Sequence, residues 1–295
     1  MKEIEVYHYD AFSTEPGKGN PAGIILNGDD LSTEEMQHIA KVVGFSECAF
    51  PIRSDLADIR IRYFTPGYET PLCGHATMAS IAALLDQKIL PEKENYLIET
   101  LAGVLPVNVS KEDAFYQIRM QHAKPQFINF EGVVEDLAQC LNIPTSAIDS
   151  RYPVVYGNTG QWTLCVPIKE VELFKQMKPQ TDRFPDILKE LPKSSIHPFS
   201  LKALNEQADL HARHFSSPYS GTIEDPVTGT ASGVLGAYVA TYIKPEEKEK
   251  YDIIVEQGQE MGKDGRVIVH IDAQDDLSIA ISGTAVFVEE IKITI

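Results

Sequence analysis

The sequence predicts an α+β protein of two pseudo-symmetric domains, each a curved sheet rolled around one central helix. Two observations indicate this fold: a polar turn that opens a helix occurs once in each half, and strand patterns dominate elsewhere. Residues 63–77 end in Leu-Cys-Gly-His-Ala-Thr, and residues 224–233 read Glu-Asp-Pro-Val-Thr-Gly-Thr-Ala-Ser-Gly. Apolar runs follow at 78–85 and 234–242. Because the first amides of a helix lack intrahelical partners, both turns can hold an anion. We therefore expect the two domains to face one small carboxylate-bearing ligand.

The other elements follow from local patterns along the chain. Ser32 with Glu35 three residues later is typical of a helix start, and Gly44 is typical of its end. Alternating or apolar runs bounded by turn residues predict strands. In the first half we predict a helix at 32–43 and strands at 4–12, 20–26, 47–51, 57–64 and 96–109. In the second half we predict helices at 133–141 and 184–191, and strands at 115–121, 153–156, 161–167, 211–215, 251–256, 266–271, 277–282, 284–288 and 291–295.

The predicted domains are residues 1–115 and 125–283, with the strand near 284–295 packing back on the first domain. Since no linker rich in Pro, Gly or Ser marks the boundary, its position is set only by the order of elements.

Composition limits the classes of function. The chain has 295 residues, 43% of them hydrophobic, and a formal net charge of −17. That charge argues against a nucleic-acid or anionic-membrane surface, and no apolar run is long enough to span a membrane. The four cysteines form no CxxC pair, and the chain starts without a signal-peptide pattern. We expect a cytoplasmic protein with reduced thiols.

Glu47 is the first candidate for chemistry. It lies in an otherwise apolar segment that leads into a strand, where partial desolvation would raise its pKa towards a range useful for proton transfer. A single carboxylate of this kind is more often a solvent-facing residue of an amphipathic strand, so both interpretations stay open.

Each turn supplies further candidates. A Cys73 thiolate at a helix start beside His75 could act as a base or nucleophile, and Gly74 permits close approach of a ligand. A small buried cysteine with His75 as a helix cap is an alternative. In the second turn, Asp225 could accept a hydrogen bond from a substrate, and the Gly229 amide with that of Thr230 could hold a carboxylate. Ordinary turn and cap residues have the same composition.

Several cofactor and metal patterns are absent from the sequence. Residues 17–20, Gly-Lys-Gly-Asn, lack the spacing of a phosphate-binding loop, and no HExxH or dinucleotide fingerprint occurs. His211 and His214 are three apart in a predicted strand, so they should point to opposite faces. These residues therefore do not support a metal or a nucleotide cofactor.

Blocks of residues over nearly the whole chain occur in the order known from one family. They are Asp10-Ala-Phe12, Gly19-Asn-Pro-Ala22, Ser46-Glu47, Arg62-Tyr-Phe-Thr-Pro66, Glu69, Leu72-Cys-Gly-His-Ala-Thr77, Arg213-His-Phe215, Glu224-Asp-Pro-Val-Thr-Gly-Thr-Ala231, Gln257-Gly258, Met261-Gly262 and Ser282-Gly283. They closely resemble the PhzF-like family of phenazine biosynthesis proteins, which is related to diaminopimelate epimerase and proline racemase. The resemblance implies an active site in a cleft between two similar domains, no metal or organic cofactor, and a homodimer.

The resemblance also implies roles for individual residues. Glu47 stands where the family has its proton-transferring glutamate, and His75 and Asp225 match the assisting positions. The predicted substrate-binding residues are Asn20, Cys73, Gly74, Gly229, Thr230 and Ala231. Thr230 replaces a serine of the family, and Lys263 replaces its usual arginine.

The two turns differ at the position of the thiol, which bears on the reaction. Two-base epimerases of this fold usually supply two cysteines, whereas here the first turn has Cys73 and the second has Thr228 or Thr230 in its place. We therefore predict an isomerase of a small carboxylate-bearing metabolite in a biosynthetic process, with Glu47 as the single acid and base. The alternatives are an epimerase or racemase that uses Glu47 with Cys73, and a small-ligand-binding protein without turnover.

Overall fold

The computed structural model describes residues 2–295 and divides into two compact units. Unit 1 comprises the described part of Met1–Gln121 together with Ser282–Ile295. Unit 2 comprises His122–Ile281. Both units combine strands with a few helices, so the α+β class is confirmed.

Unit 1 contains two α-helices and a strand ladder that begins and ends near the chain termini. The helices are α1 (Thr33–Val43) and α2 (Gly74–Asp86). The strands are β1 (Glu3–Ala11), β2 (Asn20–Ile24), β3 (Glu47–Ile52), β4 (Ile59–Phe64), β5 (Glu69–Thr70), β6 (Asn95–Thr100), β7 (Gly103–Glu112), β8 (Phe115–Gln121) and β19 (Ala285–Thr294). A 3₁₀ turn covers Gly28–Asp30.

The unit 1 sheet curls around α2. β1 is antiparallel to both β2 and β19, β2 is parallel to β3, and β3 is antiparallel to β4. β4 continues in parallel to β6, and β6, β7 and β8 form an antiparallel meander. α2 packs against β1, β2, β3, β8 and β19, and every residue from His75 to Leu85 is buried. A helix that is apolar all round needs such a surrounding sheet.

The start and the end of helix α1 are determined by residues at its own ends. Ser32 accepts a hydrogen bond from the Glu35 amide while the Glu35 carboxylate accepts one from the Ser32 amide, which forms a capping box. Gly44 ends the helix in the left-handed conformation, at φ 75°. The prediction for 32–43 is therefore confirmed within one residue.

Unit 2 has a similar content of elements. The helices are α3 (Val134–Cys140), α4 (Phe184–Ile187) and α5 (Gly229–Tyr238), and α5 continues as a π-helical turn, Val239–Ile243. Short 3₁₀ segments cover Thr145–Ala147, Val171–Gln176, Thr181–Arg183 and Gln259–Met261. The strands are β9 (Gln126–Asn129), β10 (Val155–Asn158), β11 (Trp162–Pro167), β12 (Ser195–Ser200), β13 (Leu210–Ala212), β14 (His214–Phe215), β15 (Glu224–Asp225), β16 (Lys250–Gln257), β17 (Gly265–Asp272) and β18 (Ser278–Gly283), the last of which contains the return to unit 1.

Helix α5 lies against the unit 2 strands as α2 does in unit 1. β9, β10 and β11 form an antiparallel ladder, and β11 is parallel to β12. β13 is antiparallel to β12 and parallel to β16, and β16 is antiparallel to β17. α5 packs on β10, β11 and β17. α5 and β17 approach so closely at Gly236 that an added Cβ would lie 2.4 Å from Val269 Cγ1. The second turn thus opens the central helix of its own unit.

Five predicted elements need correction. The strand at 96–109 is an antiparallel hairpin of β6 and β7 that turns at residues 101–102. The strands at 284–288 and 291–295 are one strand, β19, because it pairs with β1 along its whole length, with a bulge between His8 and Tyr9. The helix at 184–191 shortens to α4, and the strand at 211–215 breaks at Arg213 into β13 and β14. Strand β12 was not predicted, because its fully buried sequence does not alternate.

Two further properties concern the described residues as a set. Among residues 2–295, no helix has both the length and the hydropathy needed to cross a membrane. All four cysteines are buried thiols outside disulfides.

His211 is a fully buried imidazole held between two carboxylates in unit 2. Its Nδ1 lies 2.9 Å from Glu256 Oε1, and its Nε2 lies 3.1 Å from Glu260 Oε1. Burial opposes the imidazolium, but hydrogen bonds to both carboxylates outweigh it and raise the pKa of His211. Burial also opposes both carboxylates, yet the His211 contacts lower the pKa of Glu256 and that of Glu260. The cluster is therefore held together as charged groups.

A His211→Gln variant is expected to lose most stability between about pH 4.5 and 6.5, the ordinary pKa values of the two group types. The raised imidazole pKa contributes stability below pH 6.5 that is lost as pH rises through the folded value. The lowered carboxyl pKa values contribute stability above pH 4.5 that is lost as pH falls. At the maximum the loss should be about 3 kcal/mol, as for breaking a buried ion pair.

Thermal unfolding against pH, for the wild type and the variant, measures this difference. The exposed His38→Gln on α1 is the matched control and should leave the curve unchanged. A gap between the wild type and His211→Gln that stays constant across pH would contradict the charged arrangement.

Candidate active site

Glu47 opens β3 at the point where α1 has just ended. β3 lies between β2 and β4, and its next four residues are buried, so the carboxyl group is at the edge of a packed region. The Glu47 side chain keeps 21% of its surface exposed. Burial raises the pKa of Glu47, against the opposing effect of a hydrogen bond from Ser46. A carboxyl group with a raised pKa can both accept and return a proton.

His75 brings Glu47 and the first turn together. Cys73 is the N-cap residue of α2, in extended conformation, and the helix carries His75 in its first turn. His75 Nε2 lies 3.4 Å from Glu47 Oε2, and His75 Nδ1 lies 3.4 Å from Cys73 Sγ. The imidazole and the thiol are buried. Carboxylate, imidazole and thiol therefore form one cluster at a helix start.

Asn20 reaches the same imidazole from the other side. Its Nδ2 lies 3.3 Å from His75 Nδ1, and its side chain is fully buried at the first position of β2. The preceding loop is fixed by Asp10, which accepts a hydrogen bond from the Gly17 amide at 2.7 Å. At Gly19, with φ of 70°, a Cβ would lie 2.2 Å from the Ala11 carbonyl oxygen, so only glycine fits.

The cluster contains groups that can bind a metal. Ligand atoms of Glu47, Cys73 and His75 lie within 4.8 Å of one another, and thiolate with imidazole suits a soft divalent ion. Coordination through His75 Nε2 would require that nitrogen to be unprotonated. Because the amide group nearest to Nδ1 is a donor, the contacts favour a proton on Nε2 instead. The local hydrogen bonding therefore fits proton transfer better than metal binding.

In unit 2, Asp225 and the start of α5 form a second group. Thr228 is the N-cap residue of α5, and its hydroxyl donates a hydrogen bond to Asp225 Oδ2. Gln257 stabilises this turn through two hydrogen bonds. Its Nε2 donates to the Asp225 carbonyl at 2.7 Å, and its Oε1 accepts from the Thr228 amide at 3.2 Å. The Asp225 carboxylate is thus oriented by its neighbours.

The two helix starts have matching local contacts. In α2 the Thr77 hydroxyl donates to the Cys73 carbonyl at 2.7 Å, and in α5 the Ser232 hydroxyl donates to the Thr228 carbonyl at 3.0 Å. Cys73 therefore corresponds to Thr228, and His75 corresponds to Thr230. The sequence left Thr228 and Thr230 open as the counterpart of the thiol, and the capping positions select Thr228.

Arg213 supports the strand that carries Asp225. The guanidinium donates two hydrogen bonds to Glu224, at 2.7 and 2.6 Å, and a third to the Phe174 carbonyl at 2.6 Å. Arg213 and Glu224 side chains are only 8% and 12% exposed. Since β14 pairs with β15, the ion pair fixes the backbone beside Asp225.

The structure groups the predicted site residues by unit. Glu47, Asn20, Cys73, Gly74 and His75 cluster at the start of α2, whereas Asp225, Gly229, Thr230 and Ala231 lie at the start of α5. Sequence reasoning gave no role to Ser46, Gln257 or Arg213, although all three belong to the blocks that carry the resemblance. The sequence contains these residues within recognisable motifs, but it does not show which groups they contact.

An open hollow of about 510 Å³ lies elsewhere on unit 1. Thr33, Gln37 and Glu69 are among its lining residues, and none of the predicted site residues belongs to it. The part-buried carboxylate of this lining, Glu69, is engaged by the Arg62 guanidinium at 2.7 Å, whereas Glu47 faces the His75 imidazole.

A largely buried carboxyl group beside an imidazole, as at Glu47 and His75, is an arrangement suited to proton transfer. A family model described as "Phenazine biosynthesis-like protein" matches residues 9–291, and the chain belongs to this family. The chain is 49% identical to the isomerase YfhB of Bacillus subtilis, with 98% of each chain covered. It is 50% identical to a Bacillus anthracis phenazine biosynthesis protein of the PhzF family, whose crystal structure matches over 100% of both chains with a TM-score of 0.97.

A relative with a named substrate is more distant. The trans-2,3-dihydro-3-hydroxyanthranilate isomerase of Pseudomonas aeruginosa is 29% identical over 88% of this chain and 87% of its own. Since the relatives are named as isomerases, the predicted enzyme class is confirmed: the chain is an isomerase.

Proposed function

We propose that this isomerase moves a proton between two carbons of a small carboxylate-bearing metabolite, with Glu47 as the single acid and base. The observation that carries the proposal is the largely buried Glu47 carboxyl group, whose pKa is raised and which lies 3.4 Å from His75 Nε2. A carboxylate removes the proton, and the resulting carboxylic acid returns it to the second carbon. His75 assists by facing the Glu47 oxygen, and Asp225 assists by holding a polar group of the substrate.

Helix starts are proposed to hold the substrate carboxylate. Amides at Gly74 and Gly229 open α2 and α5, and a Cβ on Gly74 would point into open space beyond its chain neighbours and its own helical turn. A helix N-terminus favours negative charge there and stabilises charge that develops as the proton leaves. Asn20, Cys73, Thr230 and Ala231 complete the proposed binding residues.

We further propose, from the family resemblance, that the two units are pseudo-symmetric and that both groups of residues act on one substrate. The matching contacts of the two helix starts support an internal repeat. The resemblance also leads us to propose a homodimer, which light scattering of the purified protein tests directly. The resemblance further leads us to propose work in a biosynthetic process without a metal or organic cofactor, and the four thiols outside disulfides support a cytoplasmic location.

One observation favours a second candidate, an epimerase that uses Cys73 as its other base. Cys73 Sγ lies 3.4 Å from His75 Nδ1 and so belongs to the same cluster as Glu47. The counterpart of the thiol in unit 2 is the Thr228 hydroxyl, a far weaker base, which favours the one-base isomerisation.

Incubation in heavy water separates the two candidates. The first probe is trans-2,3-dihydro-3-hydroxyanthranilate, followed by a panel of amino and hydroxy acids. A transposed double bond is expected for the proposed reaction. Deuterium at a stereocentre with loss of optical purity, and its absence in Cys73→Ser, would establish the epimerase. Since Cys165 is also buried, Cys165→Ser is the matched control.

A further inference from the structure

The contacts around His75 determine which of its nitrogens carries the proton. Two groups approach Nδ1: the Asn20 Nδ2 amide at 3.3 Å and the Cys73 thiol at 3.4 Å. An amide NH₂ can only donate, and a neutral thiol is a weak donor. The amide contact therefore requires Nδ1 to be the unprotonated, accepting nitrogen, and the Cys73 thiol can donate to the same nitrogen.

The other nitrogen faces the opposite kind of partner. His75 Nε2 lies 3.4 Å from Glu47 Oε2, and an ionised carboxylate can only accept. A neutral imidazole has one donor and one acceptor nitrogen, so donors at Nδ1 and an acceptor at Nε2 select a single tautomer. A distance of 3.4 Å is longer than a formed hydrogen bond, as is common at active sites before the substrate is bound.

We infer that Asn20 is a positioning residue that fixes His75 as its Nε2–H tautomer and so aims a hydrogen-bond donor at Glu47. Asn20 suits this role because its side chain is fully buried and its backbone is paired with Ala11 of β1. The Asp10 contact to the Gly17 amide and the restricted backbone at Gly19 hold the loop that precedes it. The amide is thus presented from a rigid strand rather than from a loop.

The consequence for the reaction rests on the proposed role of Glu47. An Nε2–H group directed at Glu47 Oε2 holds one oxygen of the carboxylate and leaves the other to meet the substrate. The same donor stabilises the carboxylate each time the proton is handed to the product. The opposite tautomer would place an imidazole lone pair against the carboxylate and remove this support.

Nitrogen-15 NMR of the histidine side chains in the wild-type protein tests the inference without any substitution. At mildly alkaline pH, long-range proton–nitrogen correlations distinguish a pyrrole-like NH nitrogen from a pyridine-like one. The His75 signals are identified by their loss in His75→Gln. We expect a pyridine-like Nδ1 and a pyrrole-like Nε2. A pyrrole-like Nδ1, or averaged signals from both tautomers, would overturn the inference.

An Asn20→Asp variant tests whether Asn20 is the cause. The carboxylate keeps the shape of the amide but reverses its polarity, so the proton is expected to move to Nδ1 and the signal pattern to reverse. Asn95→Asp is the matched control, because the Asn95 side chain acts as an acceptor from Asn108 at 2.5 Å and a carboxylate preserves that role. An unchanged His75 pattern in folded Asn20→Asp would show that Asn20 does not set the tautomer.

The wild-type spectrum decides the tautomer even if Asn20→Asp does not fold. The measurement is also independent of the proposed function. If Glu47→Gln remains active, the proton-shuttle role fails while the tautomer stands. If Nδ1 carries the proton, the tautomer fails whatever the activity.

Discussion

A Glu47→Gln variant is expected to lose isomerase activity by about 10²–10⁴-fold, the usual contribution of a general acid or base. The amide has nearly the shape of the carboxyl group but can neither take up nor release the proton. The change should appear in kcat, with KM altered little, because glutamine preserves the polar contacts of the site. Steady-state kinetics and deuterium uptake from heavy water, on the substrate that the panel identifies, measure both effects.

The same variant should be at least as stable as the wild type near neutral pH. Burial raises the pKa of Glu47 above its ordinary 4.5, so ionising this group lowers the stability of the folded protein as pH rises past that value. Glutamine removes that penalty, and the two unfolding free energies should converge below pH 4.5. Loss of activity with unchanged or higher stability separates a chemical role from a structural one.

The exposed strand residue Glu5 supplies the control, since Glu5→Gln removes a similar carboxylate outside the cluster. Its activity should match that of the wild type. Retention of more than a tenth of wild-type kcat in Glu47→Gln would contradict the proton-shuttle role.

An Arg213→Met variant is expected to lose about 3–5 kcal/mol of unfolding free energy, the usual effect of breaking a buried ion pair. The loss leaves Glu224 without its bidentate partner and the Phe174 carbonyl without its donor. For a unit of this size the midpoint of thermal unfolding should fall on the order of 10 °C. Because Glu224 precedes Asp225 on β15, activity should fall as well.

Two controls make this prediction specific. Arg53→Met removes a guanidinium that is 95% exposed, so its effect should stay within about 0.5 kcal/mol. Adding Glu224→Gln to Arg213→Met removes the unpaired buried charge and should recover part of the lost stability. An Arg213→Met protein as stable as the wild type would show that the pair does not hold β15.

The sequence predicted an element correctly where the residues that indicate it lie within or directly beside that element. Helix α1 was predicted within one residue because its capping box and Gly44 lie within the helix or directly beside it. The two turn–helix units were also visible locally, since each glycine-containing turn precedes its own apolar run. Strand β12 was missed because a buried strand carries no alternation, and its role depends on neighbours contributed by β11 and β13.

By itself, the sequence determined the family, the α+β class, the two helix starts and Glu47 as the candidate acid and base. Only the tertiary structure decided what each of these groups contacts. Asn20 and His75 are 55 positions apart, and Asp225 and Gln257 are 32 apart, yet both pairs are in hydrogen-bond contact. Local patterns report the conformation of neighbouring residues, whereas such contacts arise only when the sheets curl around α2 and α5. The sequence thus proposed which groups could react, and the packing determined the tautomer and orientation in which they are held.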